Sequence, residues 1–500
     1  MSNTQVRSTA THTLDPPYSV PTSGKVSRSF IVQSPSVTHA SANLIVGPRD
    51  YTHRLLFAGM LLRSALRFTR TRMRCALPPL PRVSVAARIT LGVSACIYLA
   101  SLNGVHGDAD ENEPSAPSEN TEHEEVPLNT RIRIMSRGAR TLISILEGDF
   151  VTRANVADVI EENLWFNLEA LFRWYQIDHS TPQPVEFIHE PHPPPEAIHS
   201  VIKTAINFTD EYILNHFLGR VFSSLSKKNA PDAIRATSAS CLVSALYEDD
   251  VRLLHVASLG NMRAVLGRPR APAEDGAVMY DVHVLSVDHT PNNSAERSRV
   301  QGLHEGEELF EDDKLFGRAY TRALGDGKLK WSTDVQSRLH RDYLGAAPDP
   351  KVKTPPYLSA EPDVSTIKIE PGDFLVMASS WLPECLTDEE VVGLVGAWLN
   401  KNQETNLFLP LNEVAPDPTP GRVLDPEDLP VKLREDKTIM YRRWNVPKRF
   451  INTDPNPTGH LASNAMGGAE SDLRQALLEL APHESEGNTK SLGIAVVFFQ

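Results

Sequence analysis

The stretch from residue 369 to 384, IEPGDFLVMASSWLPE, constrains the fold more tightly than any other in the chain, because its grammar leaves few alternatives. Thr366-Ile367-Lys368-Ile369 alternates polar and apolar residues as a half-buried strand does. Pro371-Gly372-Asp373 supplies a turn, and Phe374-Leu375-Val376-Met377-Ala378 reads as a short buried strand, so the segment is predicted to form a hairpin. Thr387 stands three residues ahead of Glu390, the spacing of a capping box, and Val391, Leu394, Val395, Trp398 and Leu399 make one apolar helical stripe. Between strand and helix lie Ser379-Ser380-Trp381. Enzymes often place an acid at a strand end of this kind, and here there is none.

Upstream, residues 141–146 form a short apolar strand pattern ending in Glu147-Gly148-Asp149, and helices are predicted over 154–174 and 195–225. Strand patterns follow at 239–247, 251–257, 262–266 and 279–285, joined by short polar turns such as Glu248-Asp249-Asp250. Sequential strands with tight connections imply antiparallel pairing, and helices before and after them imply a layered α+β domain.

The formal net charge of -13 sets aside a nucleic-acid partner held by bulk electrostatics, since phosphates need a basic surface. Cys75, Cys96, Cys241 and Cys385 are too scattered for a zinc site or a disulfide framework. Residues 1–107 read as a leader. Within it, 51–107 lacks Asp and Glu but carries arginines from Arg54 to Arg88, the build of a mitochondrial targeting segment. Residues 89–105, ITLGVSACIYLASLNGV, are uncharged and slightly short of the ~20 residues of a membrane helix, which leaves an inner-membrane anchor or the apolar end of a cleaved leader. Residues 108–127 follow as an acidic linker, and 128–500 as the folded domain.

Four motifs in that domain, in order, carry a resemblance: Gly260-Asn261-Met262-Arg263, Leu285-Ser286-Val287-Asp288-His289-Thr290, the run from Gly317 through Arg322 to Gly325-Asp326, and Ser359-Ala360-Glu361-Pro362 leading into the hairpin. Together they resemble the metal-dependent type 2C (PPM-type) serine/threonine phosphatases, with particular similarity to the mitochondrial, pyruvate dehydrogenase phosphatase-like branch of fungi. The resemblance implies a four-layer α/β/β/α sandwich of antiparallel sheets. It also implies two-metal chemistry, in which magnesium or manganese ions held by carboxylates activate a bridging water against a phosphoryl group.

Carried over position by position, the resemblance places Glu147-Gly148 where the family has an Asp-Gly pair whose Asp bridges both metals. It places Asn261 where the family has Asp, Ser380-Trp381 where it has Asp-Gly, and Lys490-Ser491 where it has a final acidic pair. Asp288, Arg322 and Asp326 match the pattern. Changes of this kind at several metal-ligand positions imply a phosphatase-like protein that is catalytically impaired or inactive. It would bind a phosphoprotein, the pyruvate dehydrogenase complex or an active phosphatase in mitochondria, with no metal required. Lys490 would then stand in for a cation, with Arg322 or Arg131 contacting phosphate. The alternative is an active magnesium- or manganese-dependent phosphatase using Glu147, Asp149 and Asp326. Finally, the proline-dense segment 406–457 reads as a surface insertion, and its basic and aromatic cluster around Arg442, Arg443 and Trp444 is a candidate partner surface.

Overall fold

The computed structural model describes residues 87–91, 95–102, 130–137, 140–148, 163–164, 166–168, 193–223, 226–271, 278–402, 423–454, 456–479 and 492–500. Eleven of the strands form two facing sheets: β1 (Ala87–Leu91), β2 (Ala95–Leu102), β3 (Thr130–Arg137), β4 (Arg140–Gly148), β5 (Ala239–Glu248), β6 (Leu253–Leu259), β7 (Arg263–Pro269), β8 (Tyr280–Val284), β9 (Asp363–Lys368), β10 (Phe374–Ala378) and β11 (Leu492–Phe499). The first sheet runs β1-β2-β11-β10-β7-β8 and the second β9-β6-β5-β4-β3, with Leu324–Gly325 added beside β5. Every pairing is antiparallel.

The layers follow from which faces are apolar. Between the sheets, Ile143, Ile145, Val243, Ala245, Val256, Leu266, Leu375, Met377 and Val497 interdigitate in one buried cluster. Each buried Val, Leu, Ile or Met side chain among them contributes roughly 1.5–3 kcal/mol by leaving water. On the outer face of the second sheet lies α1 (Pro195–Phe222), entered through a proline in its first turn, where a missing N–H costs nothing. On the outer face of the first sheet lie α2 (Asp388–Lys401) and α4 (Pro457–Ala465), whose Val391, Leu394, Val395 and Leu461 pack with Val376, Ile494 and Val496. The expected capping box at Thr387 and Glu390 is present. The α/β/β/α sandwich of antiparallel sheets is thus the architecture observed.

Two expectations change. The segment read as a hairpin is not one, because β9 pairs with β6 in the second sheet while β10 sits between β11 and β7 in the first. Pro371-Gly372 does reverse the chain, with Gly372 at φ +87, but the turn carries it across the sandwich. Turn chemistry specifies reversal and not partner. Likewise Gly260, at φ +96, carries the chain from β6 to β7 in the opposite sheet, and a side chain there would meet Cys241 Sγ at 2.3 Å.

The second correction concerns the membrane. Residues 89–105 read from sequence as either an inner-membrane anchor or the apolar end of a cleaved leader, but Ala87–Leu91 and Ala95–Leu102 are paired strands, and β2 lies along the whole of β11. An uncharged apolar run fits a strand as well as a helix, and this one pairs into the first sheet. No helix among the described residues is long and apolar enough to cross a membrane. The expected anchor is overturned, and with it the inner-membrane association and the anchored mitochondrial placement. The arginine-rich stretch before residue 87, the acidic linker and most of the helix expected at 154–174 lie outside the described residues.

The insertion is more ordered than its prolines imply. Residues 403–422 lie outside the description, but Val423–Leu424 pairs with Phe450–Ile451, and between them α3 (Met440–Trp444) buries Met440 and Tyr441 in the outer core.

Candidate functional site

The ends of β4 and β10 meet across the sandwich, bringing together two residues 233 positions apart. The Ser380 backbone N–H donates to one oxygen of the Glu147 carboxylate at 2.8 Å, and the Ser380 hydroxyl donates to the other at 3.0 Å. Ser380 is buried and Glu147 half-buried. Behind them Ser240 donates to the Glu147 carbonyl at 3.2 Å, and Ser379 and Gly493 exchange two hydrogen bonds, each of 3.0 Å. A strand end that could have gathered carboxylates instead closes on itself through one carboxylate and two serines.

Asn261 sits half-buried at the bend that Gly260 permits, and Met262 beside it is fully buried. Arg263 pairs with Asp288 at 3.0 Å and with Asp388 at 3.3 Å. Burial raises the Asp388 carboxyl, and the charge of Arg263 opposes that rise. Trp381 leads into the helical turn Leu382–Cys385 and is buried in the outer core, its ring 6.4 Å from that of Trp444 on α3. Arg131 lies on β3 opposite Leu146. Asp149, Lys490 and Ser491 fall outside the described residues.

Beside this centre stands a dense ionic network. Arg322 makes a two-pronged contact with Glu296, at 3.1 and 2.5 Å, and donates to the Glu361 carbonyl at 2.9 Å. Glu296 also accepts from Thr321 at 2.7 Å and from Arg299 at 2.8 Å. Burial works to raise the Glu296 carboxyl, but hydrogen bonds from Arg322, Arg299 and Thr321 outweigh it and hold the group far below the usual carboxylate range. His289, fully buried, accepts from the Gly260 N–H through Nδ1 at 3.2 Å and donates through Nε2 to Asp363 at 2.7 Å. Those two partners fix the neutral tautomer with its proton on Nε2. The bond from His289, aided by Arg322, lowers the Asp363 carboxyl. Asp326 is fully buried at φ +54 and pairs with Arg318 at 2.9 Å. Of these, Glu296 and Asp363 bear no mark in the sequence that separates them from surface acids; only the three-dimensional convergence on Arg322 and His289 shows what they do.

A phosphatase metal centre needs several carboxylate oxygens free to face the ions. Each oxygen of Glu147 accepts a hydrogen bond from Ser380, and Ser380 itself offers a hydroxyl where a second carboxylate would be needed. The described donors therefore do not fit the pair of cations. Among the described residues no group of three or more His, Cys, Asp or Glu side chains is disposed to hold a metal ion.

A protein phosphatase 2C family profile matches residues 192–417, which include the bend at Asn261, the Arg322 network and Ser380. With two antiparallel sheets facing each other between helical layers, that match decides the architecture. The fold is of the PPM, or protein phosphatase 2C, type. Glu147 lies outside the matched residues, so its place in this PPM-type fold rests on its contact with Ser380. The chain is 30% identical over 309 residues to a protein phosphatase 2C homolog of Schizosaccharomyces pombe, covering 61% of this chain and 63% of that one. It is 28% identical over 320 residues to the mitochondrial pyruvate dehydrogenase phosphatase 1 of Saccharomyces cerevisiae, covering 61% and 54%. To the Homo sapiens protein of that name it is 38% identical over 160 residues, covering 29% of each. The match thus spans less than two thirds of these relatives' lengths. Nor does it single out the pyruvate dehydrogenase phosphatase branch, since the fission-yeast homolog matches over a similar stretch.

Proposed function

We propose that this PPM-type chain binds a phosphoprotein, or an active phosphatase relative, without hydrolysing phosphate at an appreciable rate. The observation that carries the reading is the capture of both Glu147 oxygens by the N–H and O–H of Ser380. Each oxygen has a second lone pair, but the carboxylate's orientation is set by Ser380, and each bond to a charged acceptor is worth roughly 1.5–3 kcal/mol against turning the carboxylate toward a cation. Asn261 adds an amide where the family resemblance implies a carboxylate, so the negative charge that would draw divalent cations is reduced. What supports a binding role is the retained scaffold: the PPM-type sandwich, the Arg322 to Glu296 contact and the His289 to Asp363 pair are all in place.

The second reading, a working metal-dependent phosphatase, is favoured by one observation, the 30% identity to a protein phosphatase 2C homolog. A single assay separates the two. The purified chain is incubated with a phosphoserine peptide and magnesium or manganese, and released phosphate is measured. No turnover above the metal-only blank is expected. Metal-dependent turnover that disappears in Glu147→Ala would overturn the binding reading and establish the enzyme.

A further inference from the structure

The strap between residues 423 and 451 presents a face that the fold itself does not use. Residues 431–451 hold seven Lys and Arg against two acids, in a chain whose net charge is -13. The strap is firmly built. Its base is the strand pair Val423–Leu424 and Phe450–Ile451, the Tyr441 hydroxyl donates to the Asn464 carbonyl at 2.5 Å, and Asn464 bonds both the N–H and the carbonyl of Ile451. Lys448 is fixed between Glu390 at 2.6 Å, Asp436 at 3.1 Å and Thr438 at 2.9 Å.

With Met440, Tyr441 and Trp444 turned toward the core, helical spacing turns residues 439, 442 and 443 outward together, at i, i+3 and i+4. Ile439 is 51% exposed, and Arg442 and Arg443 are exposed beside it. Arg442 folds back on the Thr438 carbonyl, and neither arginine pairs with a carboxylate among the described residues. An exposed isoleucine between two arginines without carboxylate partners is a surface whose apolar and charged groups both lack a complement.

We propose that Ile439, Arg442 and Arg443 form a docking face for an acidic segment of a protein partner that carries an apolar side chain among its carboxylates. The guanidinium forks suit carboxylates in two-pronged geometry, and Ile439 offers the apolar contact. Apart from the arginine-rich stretch that ends at Arg88, the rest of the chain is acidic on balance and repels such a segment, so a basic face of this kind favours its docking at the strap. That place is next to the altered centre. The Ile439 N–H donates to the Glu384 carbonyl at 3.1 Å, and Trp444 packs on Trp381, the neighbour of Ser380. The proposal rests on the reading of the chain as a binding protein, but it concerns a surface that makes no contact with phosphate chemistry.

The test measures fluorescence anisotropy of a labelled Asp/Glu peptide with one central leucine, titrated with the full chain, alongside a Gln/Ser peptide of the same length and an oligothymidylate. The acidic peptide is expected to bind, several-fold more weakly as salt rises from about 50 to about 200 mM. Arg442→Glu with Arg443→Glu should weaken it at least ~10-fold, and Ile439→Ser several-fold. Charge reversal of two other exposed cations, Lys314→Glu with Lys328→Glu, should change it little. A thermal melt checks the fold, and Arg442→Gln with Arg443→Gln replaces the reversal if the melt shifts. The proposal is overturned if the acidic peptide does not bind, if both double reversals act alike, or if the oligothymidylate or the neutral peptide binds as tightly. Because the peptide carries no phosphate, a failure here leaves the hydrolysis assay to decide the proposed function on its own.

Discussion

The centre at Glu147 and Ser380 and the network at Glu296 and Arg322 are two polar regions of one sandwich, satisfied by opposite means. The network is fully ionic: a 5% exposed glutamate takes donors from two arginines and a threonine. The centre holds a single described carboxylate, and a serine hydroxyl and a backbone N–H are among its donors. What differs is whether charge is needed for folding. The network ties the helix Ser294–Leu303 to the Thr321-Arg322 segment, and through Asp363 and His289 to the bend at Gly260, so it sets the loop geometry on one side of the sandwich. Carboxylates that gather around cations repel one another when the cations are absent, and they serve chemistry and not folding. The second set is represented among the described residues by one carboxylate bonded to neutral donors, while the first is fully ionic.

The largest effect that comparison predicts is on the network. Glu296→Ala leaves Arg322 and Thr321 facing each other without their acceptor, and breaking a buried pair by removing one partner costs about 3–5 kcal/mol. Urea unfolding should register that loss. Glu296→Met combined with Arg322→Met should recover little of it, because Arg299 and Thr321 stay without their acceptor, and a double variant as stable as the parent would mean that the charges are dispensable.

A second effect separates acid sensitivity in the core from acid sensitivity at the centre. His460 on α4 is fully buried, donates to the Leu394 carbonyl of α2 through Nε2 at 3.1 Å, and is pushed down by burial to about 4. The unfolded chain takes up that proton near 6.5, so below that pH the unfolded state binds more protons and stability falls until about pH 4. A depression of this size corresponds to roughly 3 kcal/mol. Glu296, depressed by its hydrogen bonds, adds a further loss as the pH falls below the ordinary carboxylate range. Urea midpoints between neutral pH and about pH 4 should therefore decline steeply, and the decline should shrink in His460→Gln. An unchanged slope in that variant would place the acid sensitivity elsewhere.

Much of this was legible in the residues. The capping box at Thr387 and Glu390, the long helix after Pro195 and the meander through β6 follow from local patterns that the tertiary structure respects. The crossings at Gly372 and Gly260 were not legible, since a turn signal is the same whether the next strand joins the same sheet or the opposite one. The apolar run at 89–105 misleads for a related reason: without charges its periodicity cannot tell a lipid-facing helix from a strand paired between β1 and β11, and only pairing with a segment some 400 residues later decides it. At the centre, the family resemblance flagged positions 147 and 380 separately, but that they bond to each other depends on the extra methylene of glutamate, a matter of reach that no spacing encodes.

The smallest predicted effect discriminates best between the two regions. If Ser380 occupies the Glu147 oxygens, millimolar magnesium or manganese should move the thermal midpoint of the chain by less than about 1 °C, because a cation stabilises only in proportion to its binding of the folded state. Glu147→Ala should cost about 1–3 kcal/mol, the penalty of leaving the buried Ser380 donors unpaired. Glu147→Asp with Ser380→Asp places two carboxylates at the same strand ends with only the backbone N–H of residue 380 left as a donor between them. Its midpoint should fall in chelator, through like-charge repulsion, and rise by several degrees when manganese is added. A parent chain that gains as much from manganese as this variant would show that the Glu147 carboxylate accepts the ion beside its serine contacts, and the contrast between a fully ionic network and a centre of one carboxylate with neutral donors would collapse.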